Sequence, residues 1–230
     1  QNINIYEVSS TSAERFQEAL NHAQEVANNI SASQHMILEA KDLLNEAINA
    51  LCYNIALNKE VSGDGDYLAG VTDGSIDLSH SLLCSYYPLS VVIDLEKDYL
   101  ISEVWMILGM SEADIYHYEL QTSLDGIHYT TAFMKTSDEP VSMTGITHSF
   151  EEVRARYVKM KINDVNKDFA MIQEINVFGL EATPITSEEL QTLIAEINAM
   201  DLTAYTKASI ADLNVAMEIA QAATTSGEIS

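Results

Sequence analysis

The spacing of apolar residues changes period twice along the 230 residues, and this double switch constrains the fold more than any other feature. From Thr11 to Leu51 the period is helical. Phe16, Ala19, Leu20, Ala23, Val26, Ala27 and Ile30 recur at the three- and four-residue steps of one helix face, and Met36, Ala40, Leu43, Leu44, Ala47 and Leu51 repeat the pattern. Thr11 with Glu14, and Ser31 with Gln34, have the spacing of a capping box. The spacing therefore predicts helices near 12–30 and 33–51, paired as an antiparallel hairpin through a turn at Asn28, Asn29 and Ser31. From about Asn54 to Gly179 the period shortens to two and β-branched and aromatic residues dominate. Val91-Val92-Ile93, Ile101 to Leu108, Tyr118 to Thr122, Tyr157 to Ile162 and Ile172 to Phe178 read as strands, divided by turn signals such as Asp73-Gly74 and Asp125-Gly126. No helix-length pattern interrupts them, which favours an antiparallel sandwich over β-α-β units. The helical period returns after Pro184, where Thr186 with Glu189 precedes Leu190, Leu193, Ile194 and Ile197, and predicts helices near 187–200 and 204–222. The expected organisation is thus multidomain, of α and β type, with a helical segment (1–52), an antiparallel β-sandwich (53–181) and a second helical segment (182–230).

Charge narrows the partners. Eleven Lys and Arg stand against 35 Asp and Glu, a formal net charge of −24. Such a field repels phosphate backbones and anionic lipid, so neither nucleic acid nor a membrane surface is an expected partner. No apolar run approaches the roughly 20 residues that a bilayer span requires. Catalysis finds no support in motifs: zinc, nucleophile-elbow and phosphate-loop signatures are missing, and His22, His35, His80, His117, His128 and His148 lack ligand spacing. The chain is expected not to be an enzyme. Cys52 and Cys84 form no metal pattern and read as two free thiols or one disulfide. Gly63-Asp64-Gly65-Asp66 reads as a solvated acidic turn, because it lacks the third acidic ligand and distal Glu of a helix-loop-helix calcium site.

A shift of 197 positions places Ser12 on Ser209, Phe16 on Leu213, Ala19 on Ala216, Leu20 on Met217, Ala23 on Ala220 and Gln24 on Gln221. Either this is an internal repeat, or two amphipathic helices share a pattern by chance. A true repeat, with an opening residue of Gln1, would make the chain a window on a longer array. Tyr205-Thr206, Ser209, Leu213, Ala216-Met217 and Ala220 resemble the helical FIVAR repeats of bacterial surface proteins, with Ile210 where that pattern usually has Trp; residues 13 to 51 look like the later part of another copy.

In the central segment Asn54-Ile55-Ala56, Tyr67, Thr72-Asp73-Gly74, Val92 to Leu95, Tyr118 to Gly126 with Tyr129, Arg156 to Lys159, and Ile172 to Gly179 follow one another. In this order they resemble the discoidin, or coagulation factor V/VIII C-type, domains, including galactose-type carbohydrate-binding modules. The resemblance implies a jelly-roll-like sandwich with ligand loops at one end. It also implies a structural calcium at Asp73 and Glu174, with Ser75 and Asp77 completing the set, although the family's further Thr is Leu78 here. Calcium suits such a turn because it takes six to eight oxygens, many of which backbone carbonyls can supply.

Sugar recognition needs an aromatic face and fixed polar groups. Among the loop candidates Tyr67, His80, Tyr86, Tyr87, Asp114 and Phe169, the expected ligand contacts are His80, Tyr86, Asp114 and Phe169. Departures stand beside the match. The family's Asn-Arg pair corresponds to Ala113-Asp114, its loop Arg is missing near Gly109-Met110, and the single Trp105 lies inside a strand pattern. The implied function is a non-catalytic carbohydrate-binding module with helical spacers, from a secreted or cell-surface bacterial glycan-processing protein. The alternative is a structural or adhesive spacer, or a protein-interaction module, that binds no sugar. The expected partner is a neutral galactose- or N-acetylhexosamine-type glycan, and the chain is expected to be monomeric.

Overall fold

A computed structural model describes residues 7–182 and 187–199, with 213, 214, 217 and 221 as single positions. The chain divides into two compact units, 1–182 and 183–230. In the second, α3 (Ser187–Asn198) occupies the first helix that the spacing predicts there. The expected cap Thr186 and most of the helix expected at 204–222 lie outside the described residues.

The first unit opens with the expected hairpin, α1 (Ser10–Asn28) and α2 (Gln34–Asn49). The caps differ from the expected pairs. Ser9 caps α1, its hydroxyl accepting from Ser12 N, and Ser33 caps α2, accepting from Met36 N. Thr11 is drawn elsewhere. Its hydroxyl donates to Glu103 Oε2 at 2.7 Å, while Ser10 N donates to Glu103 Oε1 at 3.2 Å. Glu103 is only 3% exposed and stands in the middle of a strand. Its carboxylate therefore binds the free N–H end of α1, where the helix dipole favours negative charge. Ser9 N to Cys52 O, Asn54 N to Glu7 O and Cys52 N to Ser12 Oγ complete the attachment of the hairpin to the sheet.

Eight strands follow: β1 (Tyr53–Asn54), β2 (Glu60–Gly63), β3 (Leu82–Cys84), β4 (Leu89–Leu108), β5 (Tyr116–Ser123), β6 (Thr130–Lys135), β7 (Ile146–Val165) and β8 (Ala170–Glu181). Every pairing is antiparallel, in the order β1-β8-β4-β7-β5-β6, with β2 on β4 and β3 on β8. The runs expected at 91–93 and 101–108 are one strand. Asp94 pairs with Tyr157 and Tyr99 with Ala155, so four residues of β4 bulge against one of β7, and Glu96 takes a positive φ of 72°. This bulge bends the pair. One half of β4–β7 joins β2, β5 and β6; the other half joins β8, with β1 and β3 beyond it.

The layers close on one apolar core. Alternate residues of β4 (Leu89, Val91, Ile93, Leu95) and of β5 (Tyr116, Tyr118, Leu120) are buried with Met160, Ile162, Ile172, Ile175 and Val177. Each such large side chain contributes about 1.5–3 kcal/mol by leaving water. Cys52 and Cys84 are free thiols. No helix of the described residues is long and apolar enough to cross a membrane.

Candidate functional site

Because β4 and β7 bend, four segments meet at one end of the sandwich: the end of β4, the start of β5, the end of β7 and the start of β8. The hydrogen bonds there are specific. Gly109 N donates to Met171 O at 2.9 Å, and Tyr116 Oη accepts from Met171 N at 3.0 Å. Asn166 closes the loop after β4 from both sides, accepting from Ile115 N and donating to Ala113 O. Gln173 Nε2 donates to Gly109 O at 2.6 Å. Asp64, in the acidic turn after β2, accepts from Ser90 N and from Tyr86 Oη, which ties that turn to the same end. The turn expected to be a solvated acidic loop is in part a structural clasp. Tyr86, 56% exposed, stands on this framework beside half-buried Tyr87, and Phe169, also half-buried, immediately precedes Ala170, the partner of Cys84.

Asp114 is placed differently from the expected ligand contact. It is 2% exposed, its Oδ2 accepts from Met110 N at 3.0 Å, and Lys167 Nζ lies 2.7 Å from its Oδ1. Burial pushes the carboxyl up, but the Lys167 ammonium and the Met110 N–H outweigh it and hold the group below the ordinary carboxylate range. Asp114 thus shapes the loop and turns no oxygen outward. The sequence marks Asp114 as a departure from the family pair; nothing local in it signals Lys167, 53 positions away.

The second cluster lies at the Asp73-Gly74 turn. Gly74 has φ +78°, a conformation that suits glycine, and its N–H donates to Glu174 Oε2 at 3.2 Å across 100 positions. Glu174 is 2% exposed, and its Oε1 is buried without a hydrogen-bond partner among the described residues. Burial raises its pKa to about 8, opposed by the Gly74 N–H and reinforced by the charge of Asp73. The fold therefore brings Asp73 and Glu174 together. Asp73 is half-buried, with Oδ1 accepting from Ser75 N and Oδ2 lying 3.1 Å from His80 Nδ1. Ser75 and Asp77 are engaged locally. Ser75 Oγ accepts from Asp77 N, and Asp77 Oδ1 accepts from Ser79 N and Ser79 Oγ as the cap of a 3₁₀ turn at Leu78–His80. These Ser79 hydrogen bonds lower the pKa of Asp77. No group of three or more His, Cys, Asp or Glu side chains converges among the described residues. A cation there would rest on Asp73, Glu174 and backbone oxygens.

Residues 72–175 match the family model described as F5/8 type C domain. Comparison with curated proteins finds no match. Solved structures similar to this chain include the CBM32 of AlyQ in complex with 4,5-unsaturated mannuronic acid, at 16% identity and TM-score 0.47, covering 52% of this chain and 93% of that one. CpGH89CBM32-5 from Clostridium perfringens, in complex with GalNAc-β-1,3-galactose, is 22% identical with TM-score 0.47, over 53% of this chain and 96% of that one. A family 89 glycoside hydrolase from the same organism is 26% identical with TM-score 0.49, over 63% of this chain but 18% of that one. Domains of this family are generally non-catalytic, in line with the expectation that the chain is not an enzyme. The antiparallel sandwich read from the two-residue period thus contains, at residues 72–175, the stretch that is similar to the F5/8 type C domain.

Proposed function

We propose that the sandwich is a non-catalytic carbohydrate-binding module whose ligand meets the loop end. The observation that carries this is exposed Tyr86 and half-buried Phe169 beside a framework of buried hydrogen bonds, with exposed His80 at the Asp73 turn. Rigid loops that display aromatic and polar groups suit a sugar, which offers C–H faces and hydroxyls together. A shallow site with one stacked ring makes few contacts, so Kd is on the order of 0.1–1 mM. The net charge of −24 favours neutral galactose- or N-acetylhexosamine-type ends over sialylated or sulfated ones. The parent is a secreted or cell-surface bacterial glycan-processing protein, with the helical segments as FIVAR-like spacers and the chain itself monomeric. Asp73 and Glu174 hold a structural calcium, the reading that best accounts for a buried carboxylate oxygen without a hydrogen-bond partner.

The test is an NMR titration with galactose and N-acetylgalactosamine. Shifts confined to the loops around His80, Tyr86 and Phe169 support the proposal. No binding to any neutral glycan at about 10 mM, ten times the weakest Kd expected, hands the case to the spacer or protein-interaction reading. One observation favours that second reading. α2 exposes Met36, Ile37, Leu38, Leu43 and Ile48, and a groove of ≈ 470 Å³ lies between α1 and α2, lined in part by Arg15, Ala19, His22, Leu43 and Ala47.

A further inference from the structure

Tyr67 is a large aromatic residue in the left-handed region, at φ 61° and ψ 44°. Side chains with a Cβ are disfavoured there, and bulky ones most of all, so something must compensate for the strain. Packing does not compensate, because Tyr67 is 71% exposed. The backbone around it is firmly held. Asp66 N donates to Leu83 O at 3.0 Å in an isolated bridge, and Gly70 N donates to Tyr67 O at 3.0 Å as a 3₁₀ turn begins. Gly70 is pressed against the backbone of His80: a Cβ added there would lie 1.6 Å from His80 O. Tyr67 therefore stands between the His80 turn and Leu83, whose side chain is exposed, and three residues from Asp64, which holds Tyr86. A chain that only needed to turn here would use Gly or Asn. Strain of this kind, fixed by its surroundings and displayed to solvent, is found at ligand clamps.

We infer that Tyr67 is a stacking platform for a second sugar residue, extending the site at His80, Tyr86 and Phe169 along the Leu83 edge so that the module prefers a disaccharide to a monosaccharide. This rests on the glycan reading above, since the platform extends that same site. The left-handed backbone fixes the direction of the Cα–Cβ bond before the ligand arrives, which leaves only the side-chain rotations to be ordered on binding. An aromatic face offers a pyranose ring an apolar surface without hydrogen-bond demands, so neutral β-linked hexose disaccharides are the class that fits.

The experiment compares wild type with Tyr67→Gly, Tyr67→Asn and Tyr67→Phe, using lactose and galactose as probes and a thermal melt for each protein. Gly and Asn relieve the strain and remove the ring. Both are expected to melt at or above the wild-type temperature and to bind lactose at least tenfold more weakly, with galactose affinity changed less than twofold. Tyr67→Phe keeps the ring and stays within about threefold for lactose. If Gly and Asn lower the melting temperature while lactose affinity holds, Tyr67 is a packing residue and the inference is overturned. Equal loss for lactose and galactose also overturns it, because Tyr67 would then belong to the first subsite or to folding. Wild type that binds neither sugar refutes the glycan reading, and this assignment falls with it; wild type that binds both equally refutes the second subsite alone.

Discussion

Replacing Glu103 with Ala should release the helical hairpin from the sandwich. The Glu103 carboxylate accepts from Ser10 N at 3.2 Å and from Thr11 Oγ1 at 2.7 Å, and it lies at the N-terminus of α1 while only 3% exposed. A hydrogen bond to a charged group contributes about 1.5–3 kcal/mol. Ser10 and Thr11 are themselves exposed, so water can replace their lost acceptor and the lower end of that range applies. Loss of the helix-dipole interaction adds about 0.3–1 kcal/mol. The expected destabilisation for Glu103→Ala is therefore about 2–4 kcal/mol, and roughly half of that for Glu103→Gln, which keeps an acceptor and loses the charge. Urea titration followed by two signals separates docking from global unfolding. Far-ultraviolet circular dichroism reports α1 and α2, and fluorescence reports Trp105, two positions along the same strand. In wild type the two transitions should coincide. In Glu103→Ala the helical signal should fall first, because the remaining hydrogen-bonded links named above are Cys52 N to Ser12 Oγ and the two bonds of the Val8–Tyr53 bridge, Ser9 N to Cys52 O and Asn54 N to Glu7 O. A variant within about 0.5 kcal/mol of wild type, with both transitions still coincident, would show that the buried carboxylate does not fasten the hairpin.

Two further outcomes are expected. Saturating calcium should stabilise the protein by RT ln(1 + [L]/Kd), about 2.7 kcal/mol at a hundredfold excess, so EDTA should lower the melting temperature of wild type but not of Asp73→Ala or Glu174→Gln; an EDTA-insensitive wild type rules the metal out. His148 stacks on Phe133 at 3.8 Å and lies 2.5 Å from Tyr118 Oη, and burial, with the nearby Lys135 charge, depresses its pKa to about 4. The unfolded chain takes up this proton first, near pH 6.5, so His148-linked stability is complete above that pH and is lost as pH falls toward 4. After allowance for solvent screening, the loss is about 2 kcal/mol. Urea midpoints at pH 7.0, 5.5 and 4.5 should therefore fall more steeply in wild type than in His148→Phe, and parallel slopes would contradict the assignment.

The two hydrophobic periods made the helical hairpin and the sandwich legible, since each reflects which face of an element meets the core. What escaped depended on distant partners. Thr11 has the spacing of a cap and Ser9 takes that role, because Glu103, 92 positions away, draws the Thr11 hydroxyl to itself. The runs at 91–93 and 101–108 read as separate strands, yet β4 continues between them as a bulge whose register is set by β7. Asp114 carries a type of side chain that binds sugars, but Lys167 and Met110 N turn it inward. Asp73 and Glu174 match the family by their order in the sequence, and the fold brings them together through Gly74. Tyr67 was one aromatic among several. Its left-handed backbone is a property of how residues 66–70 are held between Leu83 and His80.

The two bent strands have a consequence for how the module comes apart. β4 and β7, 20 residues each, give half their length to either layer and pair with each other on both sides of the bend. No plane passes between the layers without cutting both strands. One layer therefore cannot peel away as a native-like fragment, and a break in either strand propagates into both. Slow amide exchange should accordingly be shared across Ile93, Val104, Val158 and Val177 at a single opening free energy rather than graded from layer to layer. A tether pulled from the hairpin would meet a seam that must fail as a whole, so the loop end keeps its shape until the module is lost outright.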